Sequence, residues 1–352
     1  MQIDFIKLPL PLIWRMKLER LYIRTVKNIK KRINHGYAKD ASEFYPIVRN
    51  NRPYGDEYLL RRYASEKQDL YAIIEHGLYF GKNTAMVGLK HEWELGCILT
   101  SGNYRKDIIN KYYPDYYCET IGPMIAYARF DTEFKNKIES QIDPCGKTLL
   151  FFPAHSTQAI TMQYDTNLLL QKINSIAEVK GCDNIIICVG YFDIKYYKSI
   201  MLNTYFPHKN ICVTSNGERY DSHFLDHQRT LIEISDYTVS NQLGTHIGYC
   251  VYLKKPHILI NDDLKKEASP DVLKEEYGTN NRSTNWKSDQ EKEEELFAGI
   301  FSLENSDNVT ASQYDLCNYY WGFDQVKSRA EIRNIYKVCY DYSKIFRQKH
   351  KI

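Results

Sequence analysis

The sequence lacks several features that would assign a protein to a well-known class. No two of its nine cysteines have Cys-x-x-Cys spacing, and their number is odd, which disfavours a zinc ribbon or a disulfide framework and favours free thiols in a reducing compartment. No apolar run is long enough to span a bilayer. No Asp-x-Asp segment offers a divalent-ion site. We therefore expect a cytoplasmic protein that uses no metal and no other cofactor.

Length and composition are ordinary for a folded protein. The chain has 352 residues, of which 43% are hydrophobic and 26% are charged, so it can form two domains with buried cores. Large-scale disorder is excluded by this balance. The thirty tyrosines accompany an abundance of Lys, Ile and Asn, and we give them no functional weight.

Positive charge is concentrated near the amino terminus. Residues 15–32 hold eight basic residues and one acidic residue, although the whole chain carries a formal charge of only +3. Apolar residues recur there at helical spacing: Trp14, Leu18, Leu21, Tyr22, Val26, Ile29 and Ile33. This pattern is typical of an amphipathic helix that binds an anionic membrane surface through residues 14–33. An equally open alternative is a solvated helix whose apolar stripe packs on the protein. Nucleic acid is not expected as a partner, because no second basic cluster follows.

The second half of the chain alternates between short apolar strands and helices. We predict strands at 149–153, 185–190, 211–214, 237–240 and 257–260, with helices at 166–179, 194–203, 224–234 and 245–253. Such alternation predicts a parallel sheet covered on both faces, with its ligand site beyond the carboxyl ends of the strands. The first half is less regular, with strand candidates at 70–75, 96–100 and 117–121.

These patterns divide the chain into four parts. We predict a basic helix at 1–40, an amino-terminal domain at 41–145, a nucleotide-binding domain at 146–305 and closing helices at 306–352. Residues 261–295 hold eleven acidic and six basic residues with little apolar pattern, which indicates a mobile polar insertion within the third part. Whether this insertion is a functional lid stays open.

The predicted loops after the strands carry the candidate binding residues. A glycine turn followed by a helix start presents free backbone N–H groups, so the segment 240–246 predicts a phosphate site. Short loops also favour such residues for turn geometry, so single members can be structural. The candidate donor-binding residues are His155, Ser156, Thr157, Tyr191, Glu218, Arg219, Ser240, Asn241, Gly244, Thr245 and His246.

A candidate catalytic base lies in the first half. Residues 73–81 form an apolar strand that ends in Glu75 and His76 and continues into glycines. The intrinsic pKa of a histidine side chain suits a catalytic base, so His76 is the first candidate. Glu75 could orient His76 or act as the base itself. The alternative is that His76 only caps the strand. Asp56 and Glu57 are weaker candidates.

The segment 235–245, followed by Tyr249 and residues 253–256, resembles the donor-site corner of two-domain glycosyltransferases of the GT-B fold, including heptosyltransferase-like and teichoic acid polymerase-like members. Residues 149–157 resemble the start of the nucleotide-binding domain in bacterial capsule and lipopolysaccharide transferases. The loop 73–81 resembles a His-Gly loop of teichoic acid polymerase-like transferases. The resemblance implies an α/β fold in which two Rossmann-like domains face a central cleft, with the basic amphipathic helix added at the amino terminus.

The resemblance also implies an activity. We expect a metal-independent glycosyltransferase of bacterial surface polysaccharide biosynthesis, peripheral on the inner face of the cell membrane. It would transfer a sugar from a nucleotide-activated donor to a glycan or glycolipid acceptor. We expect this acceptor to be lipid-linked. The alternatives are a CDP-polyol phosphotransferase of the teichoic acid type, a non-catalytic relative that binds nucleotide sugars, and an epimerase that shares the fold.

Overall fold

A computed structural model describes residues 10–22, 45–75, 77, 79, 95–155, 160–260, 264–268 and 286–351. The nine cysteines lie within these ranges as free thiols, and all except Cys145 are buried. Among the helices of the described ranges, none combines the length and the hydropathy needed to cross a bilayer.

The strands and helices of these ranges alternate along most of the chain. The strands are β1 Ile73–Ile74, β2 Cys97–Thr100, β3 Tyr117–Thr120, β4 Thr148–Phe152, β5 Ile160–Gln163, β6 Asn184–Cys188, β7 Asn210–Thr214, β8 Tyr237–Ser240, β9 His257–Leu259 and β10 Lys265–Ala268. The α-helices are α1 Leu12–Tyr22, α2 Asp56–Ala64, α3 Asn103–Tyr112, α4 Thr132–Glu139, α5 Thr166–Lys180, α6 Ile194–Ser199, α7 Phe224–Glu233, α8 Thr245–Tyr252, α9 Trp286–Ile300, α10 Ala311–Trp321 and α11 Arg329–His350.

The larger sheet is parallel and has the strand order β7-β6-β4-β8-β9. Its central strands are buried along their whole length because helices cover both faces. In this doubly wound order the chain adds β6 and β7 on one side of β4 and then crosses to add β8 and β9 on the other side, so the switch point lies between β4 and β8. The loops that follow these two strands therefore separate and leave a crevice at their carboxyl ends.

The smaller sheet is also parallel, with the order β1-β2-β3. The last helix, α11, packs against this sheet and against α2. The Phe346 ring lies so close to Gly96, just before β2, that a Cβ there would clash with it, and Arg333 Nη1 donates to the carbonyl of Ala64 in α2 at 3.0 Å. The helix α10 packs on α8 instead, with the buried Trp321 ring against Gly248. The carboxy-terminal helices thus contact elements of both halves of the molecule.

The predicted fold class, α/β with two Rossmann-like units facing a central cleft, is confirmed by these two parallel sheets. One expectation is wrong in part. The polar insertion 261–295 includes β10, which pairs antiparallel with β5, and the start of α9. This helix is rich in charged residues, and it is held by buried Phe297 near its end, followed by buried Phe301. Two buried aromatic residues are too few to produce a visible apolar period.

The basic amino-terminal helix is described only as far as Tyr22, so the predicted residues 23–33 lie outside the described ranges. Within α1, Met16 is buried against Ile47 and Ile73, and Arg20 Nη1 lies 2.6 Å from Asp69 Oδ1. The predicted apolar stripe is not the buried face, because Trp14 and Leu21 are 61% and 55% exposed. Helix α1 is thus attached to the protein by one face while two large apolar side chains point outward.

Candidate functional site

The carboxyl ends of both parallel sheets open onto one cavity of about 480 Å³. Glu75, Thr100 and Ile121 line it from the ends of β1, β2 and β3. Across from them are the loops that follow β4, β6, β7 and β8. Trp321 of α10 also contributes to the wall. The cavity has the size and position of a small-molecule binding site in an α/β protein.

One wall of the cavity is the start of α8. Gly244 precedes the helix, and the loop residue Gly77 of the opposite side faces it: a Cβ at Gly77 would lie 4.0 Å from Thr245 Oγ1. The first backbone N–H groups of a helix have no partner inside the helix, and the helix dipole adds partial positive charge there. The start of α8 is therefore suited to hold a phosphate group.

Two of the predicted binding residues support this corner without lining the cavity. Asn241 Oδ1 accepts a hydrogen bond of 2.7 Å from the backbone N–H of Ala154, which ties the loop after β8 to the loop after β4. Ser240 Oγ donates to the Gln242 carbonyl at 3.0 Å and lies 3.0 Å from His257 Nε2. Both side chains are buried and shape the crevice from behind. Their positions make them structural supports for the loops.

Two histidines line the cavity in their neutral form. Burial, together with the nearby His155, lowers the pKa of His246 to about 3. The Nε2 atom of His246 is buried and has no hydrogen-bond partner among the described residues. Desolvation of the imidazole lowers the pKa of His155 as well, although the negative charge of Asp193 acts in the opposite direction. Each imidazole can offer a ligand a neutral donor or acceptor without changing the net charge of the site.

The rim of the cavity combines one cation with exposed aromatic rings. Of the described residues that line the cavity, Arg219 is the one with a cationic side chain, and its guanidinium lies 5.9 Å from the centre of the Tyr54 ring. Tyr191 and Phe192 follow β6 and are 42% and 58% exposed. Glu218 lines the same side. The planar nucleobase of a nucleotide could stack on these rings while Arg219 faces an anionic group.

Asp56 also lines the cavity, and it is a buried acid with an unusual pKa. Its side chain is only 2% exposed, its Oδ2 atom has no hydrogen-bond partner among the described residues, and burial raises its pKa to about 8. The carboxyl group is also close enough to Tyr249 to help raise the pKa of that phenol. A buried acid that lines a cavity with one free oxygen is a typical arrangement for proton transfer.

Local backbone geometry holds Asp56 in place. Tyr54 and Gly55 both have left-handed backbone angles, with φ of 57° and 75°. The Tyr54 N–H donates to the Arg219 carbonyl at 2.6 Å, and a Cβ on Gly55 would lie 2.5 Å from the Ser222 carbonyl oxygen. Only glycine fits at position 55, because any side chain would strike this backbone. The segment before α2 is thereby locked against the opposite half of the molecule.

The predicted acid Glu75 lines the cavity but is fully engaged. Arg105 donates to it from Nε at 3.1 Å and from Nη2 at 2.5 Å, and Thr100 Oγ1 donates at 2.7 Å. All three side chains are buried. Because Arg105 and Thr100 occupy both carboxylate oxygens, Glu75 is placed to hold the end of β1 in position.

The structure brings together most of the candidates that it describes. Glu75, His155, Tyr191, Glu218, Arg219, Gly244, Thr245 and His246 line the cavity, whereas Ser240 and Asn241 lie behind it. His76, Ser156 and Thr157 lie outside the described residues. Asp56 was only a weaker candidate in the sequence, and Tyr54 and Trp321 were missed. The signal at Asp56 was slight: an acid after Pro53-Tyr54-Gly55 at a helix start.

No family model matches this sequence, and no curated protein matches it. Solved structures with a similar fold include the wall teichoic acid polymerase TagF soaked with CDPG, at 11% identity over 94% of this chain and 98% of that chain, with a TM-score of 0.42. Another TagF structure is 12% identical over 79% of this chain and 70% of that chain (TM-score 0.41). A UDP-N-acetylglucosamine 2-epimerase from Listeria monocytogenes is 11% identical over 72% and 66% (TM-score 0.35).

Proposed function

We propose that this protein transfers a sugar from a nucleotide-activated donor to a hydroxyl group of a glycan or glycolipid acceptor. The observation that carries the proposal is the position of Asp56. Asp56 lines the same cavity as the start of α8, so a buried acid and a helix start suited to phosphate binding share one cleft. A group transfer between a nucleotide and an acceptor needs both parts at once.

In the proposed reaction Asp56 accepts the proton of the acceptor hydroxyl as its oxygen attacks the anomeric carbon. The bond between that carbon and the donor phosphate breaks, and its electron pair stays on the phosphate oxygen. The backbone N–H groups of Thr245 and His246 and the guanidinium of Arg219 stabilise the new negative charge. These groups supply that charge stabilisation without a divalent ion, so the proposed transfer is metal-independent.

The raised pKa of Asp56 fits this role. With a pKa of about 8, roughly one tenth of the protein carries an ionised Asp56 at pH 7. The smaller ionised fraction is offset by a stronger base, because proton transfer becomes more favourable as the pKa of the acceptor group rises.

A nucleotide screen tests the proposal directly. The purified chain is heated with CMP, CDP, UDP and GDP, and release of nucleotide from their activated sugars and from CDP-glycerol is measured. At least one nucleotide should raise the melting temperature, because a ligand at a hundred times its dissociation constant stabilises the folded state by about 2.7 kcal/mol. The matching donor should be hydrolysed slowly without an acceptor.

The variant His155→Ala should weaken this thermal shift, whereas the exposed His350→Ala on α11 should keep it. Release only from CDP-glycerol would favour polyol phosphate transfer instead. Absence of both a thermal shift and donor cleavage across the panel would refute the proposed activity.

We further propose that α1 binds an anionic membrane surface on the cytoplasmic side. Trp14, Lys17 and Leu21 are spaced by three and four residues and are all exposed, so they share one outward face of the helix. An indole and a leucine beside a lysine are suited to the boundary between lipid headgroups and acyl chains. Met16 and Arg20 attach the opposite side of α1 to the protein.

Vesicle sedimentation tests this attachment. We expect the double variant Trp14→Ala/Leu21→Ala to lower the fraction bound to vesicles of phosphatidylcholine and phosphatidylglycerol by several-fold, since it removes most of the outward apolar area. Ile345→Ala, which removes a similarly exposed apolar side chain from α11, serves as the control. Equal binding by the double variant and the control would contradict the proposal.

A further inference from the structure

A second groove of about 410 Å³ lies between α3 and α10, on the far side of the backbone that lines the main cavity. Ser101 belongs to the main cavity, and its Oγ donates to the Tyr320 carbonyl at 3.2 Å. Next to it Gly102 and Gly322 touch through their backbones, since a Cβ on Gly102 would lie 2.9 Å from the Gly322 nitrogen. The groove is thus separate from the main cavity but adjacent to it.

One side of the groove is aromatic. The rings of Tyr104 and Tyr319 are 5.2 Å apart between centroids, and Tyr319 is 57% exposed. Tyr320 packs behind both rings at 4.9 Å and 5.0 Å, so the pair is supported from the protein side. An exposed ring held rigidly in this way is a platform for a ligand that has an apolar C–H face.

Apart from Ile108 and Gly322, the remaining lining is polar, and among the described residues it includes no Lys or Arg. Asn103 and Asp107 are one helical turn apart on α3, and Asn318 and Asp324 face them from the α10 side. Asn318 Oδ1 accepts the Asp324 N–H at 3.2 Å, and no hydrogen bond to Asn103 or Asp107 side chains is described. Carboxylates and amides can each bind pairs of hydroxyl groups. Without Lys or Arg in the lining, a phosphate or a nucleotide has no favourable partner there.

We propose that this groove binds a neutral saccharide chain, with a sugar ring stacked on Tyr319 and its hydroxyls on Asp107, Asn103 and Asn318. This site is distinct from the donor cavity and goes beyond the proposed activity. It would hold saccharide whether or not the protein transfers sugars. Beside an active transfer site, it would keep a growing acceptor near the cleft.

Saturation-transfer NMR on the full chain tests the site, with maltotetraose, cellotetraose and chitotetraose as probes and no nucleotide present. We expect at least one of the three to bind with millimolar affinity. Tyr319→Ala should weaken that binding about tenfold, the effect of losing one aromatic contact of about 1.4 kcal/mol. Asp107→Asn should weaken it several-fold, and it covers the case in which Tyr319→Ala does not fold. Tyr112→Ala, at the exposed end of α3 outside the groove, should bind normally.

Three results would overturn the proposal. The first is that no probe binds at concentrations about 20-fold above the expected millimolar dissociation constant. The second is that Tyr112→Ala weakens binding as much as Tyr319→Ala does. The third is that a nucleotide displaces the saccharide, which would place the saccharide in the main cavity. A response of the groove to Ca²⁺ alone would instead assign the four oxygen-bearing side chains to a cation. Because saccharide binding itself is measured without nucleotide, a failure here leaves the donor screen unaffected, and a failed donor screen leaves this result unaffected.

Discussion

Asp56→Asn is expected to lower the rate of sugar transfer by about 10²–10⁴-fold, which is the usual contribution of a positioned base. Asparagine keeps the shape of the side chain but cannot accept the proton of the acceptor hydroxyl. In the unmodified protein the transfer rate should rise with pH through a midpoint of about 8, the pKa of Asp56 in its buried position. The measurement is the pH dependence of kcat for the donor identified by the nucleotide screen.

The same substitution should stabilise the protein. The pKa of Asp56 is about 8 in the folded chain and 3.8 for the ordinary carboxyl. Between these values the folded chain retains a proton that the unfolded chain has released, so the free energy of unfolding falls as pH rises from about 4 to about 8. Asparagine removes this cost, which amounts to a few kcal/mol at about 1.36 kcal/mol per pKa unit. The gain in melting temperature should therefore be larger at about pH 8.5 than at about pH 5, because the cost of the retained proton grows over this pH range.

Glu57→Gln is the matched control, because Glu57 is the next residue and is also a buried acid with a raised pKa, of about 7. Asn51 Nδ2 donates to it at 3.0 Å, and it does not line the cavity. This variant should alter stability but not the pH dependence of transfer. If Asp56→Asn kept a rate within tenfold of the unmodified protein, Asp56 would not be the base.

The second large effect is expected at the ion pair between Arg62 and Asp226, which joins α2 to α7 across the cleft. Arg62 donates from Nη1 and Nη2 to the two carboxylate oxygens at 2.5 Å and 2.6 Å, and the Asp226 side chain is 3% exposed. The Arg129 N–H and His223 Nδ1 complete the shell at 2.7 Å and 3.1 Å. Although burial opposes it, this shell of donors holds the pKa of Asp226 well below its usual range.

Arg62→Ala should lower the free energy of unfolding by about 3–5 kcal/mol, because it leaves a buried carboxylate without its main partner. The loss should be measured by urea denaturation at neutral pH. It should shrink as pH falls below about 4, since the low pKa of Asp226 contributes stability only where the unfolded carboxyl is ionised. A double-mutant cycle with Asp226→Asn isolates the pairwise energy.

Lys135→Ala provides the comparison at the surface. Lys135 Nζ lies 2.7 Å from Glu139 Oε2 one turn away on α4, and both side chains are partly exposed. Its loss should cost about 0.3–0.5 kcal/mol. Similar losses for Arg62→Ala and Lys135→Ala would mean that the pair across the cleft does not hold the two halves together.

The sequence alone located most strands of residues 148–260. Each of the five strands predicted there, which are β4, β6, β7, β8 and β9, forms within two residues of its predicted limits, because strands buried on both faces must be short, apolar and separated by polar turns. The short strand β5, Ile160–Gln163, was not predicted. The same regularity located the helix start at Gly244 and Thr245 for which we propose phosphate binding, since a glycine turn before a helix start is a local feature. Helix α9 was missed because its fold depends on two buried aromatic residues among many charges.

Only the tertiary structure decided which residues can act in the cleft. Asp56 becomes the candidate base because segments more than a hundred residues away bury it, with Ser222 against the neighbouring Gly55 and Tyr249 close to its carboxyl group. Glu75 is engaged by Arg105 instead. Ser240 and Asn241 support the loops through partners in other strands and loops. A pKa, a free oxygen atom or an exposed ring depends on what surrounds a side chain, and the order of residues does not specify those neighbours.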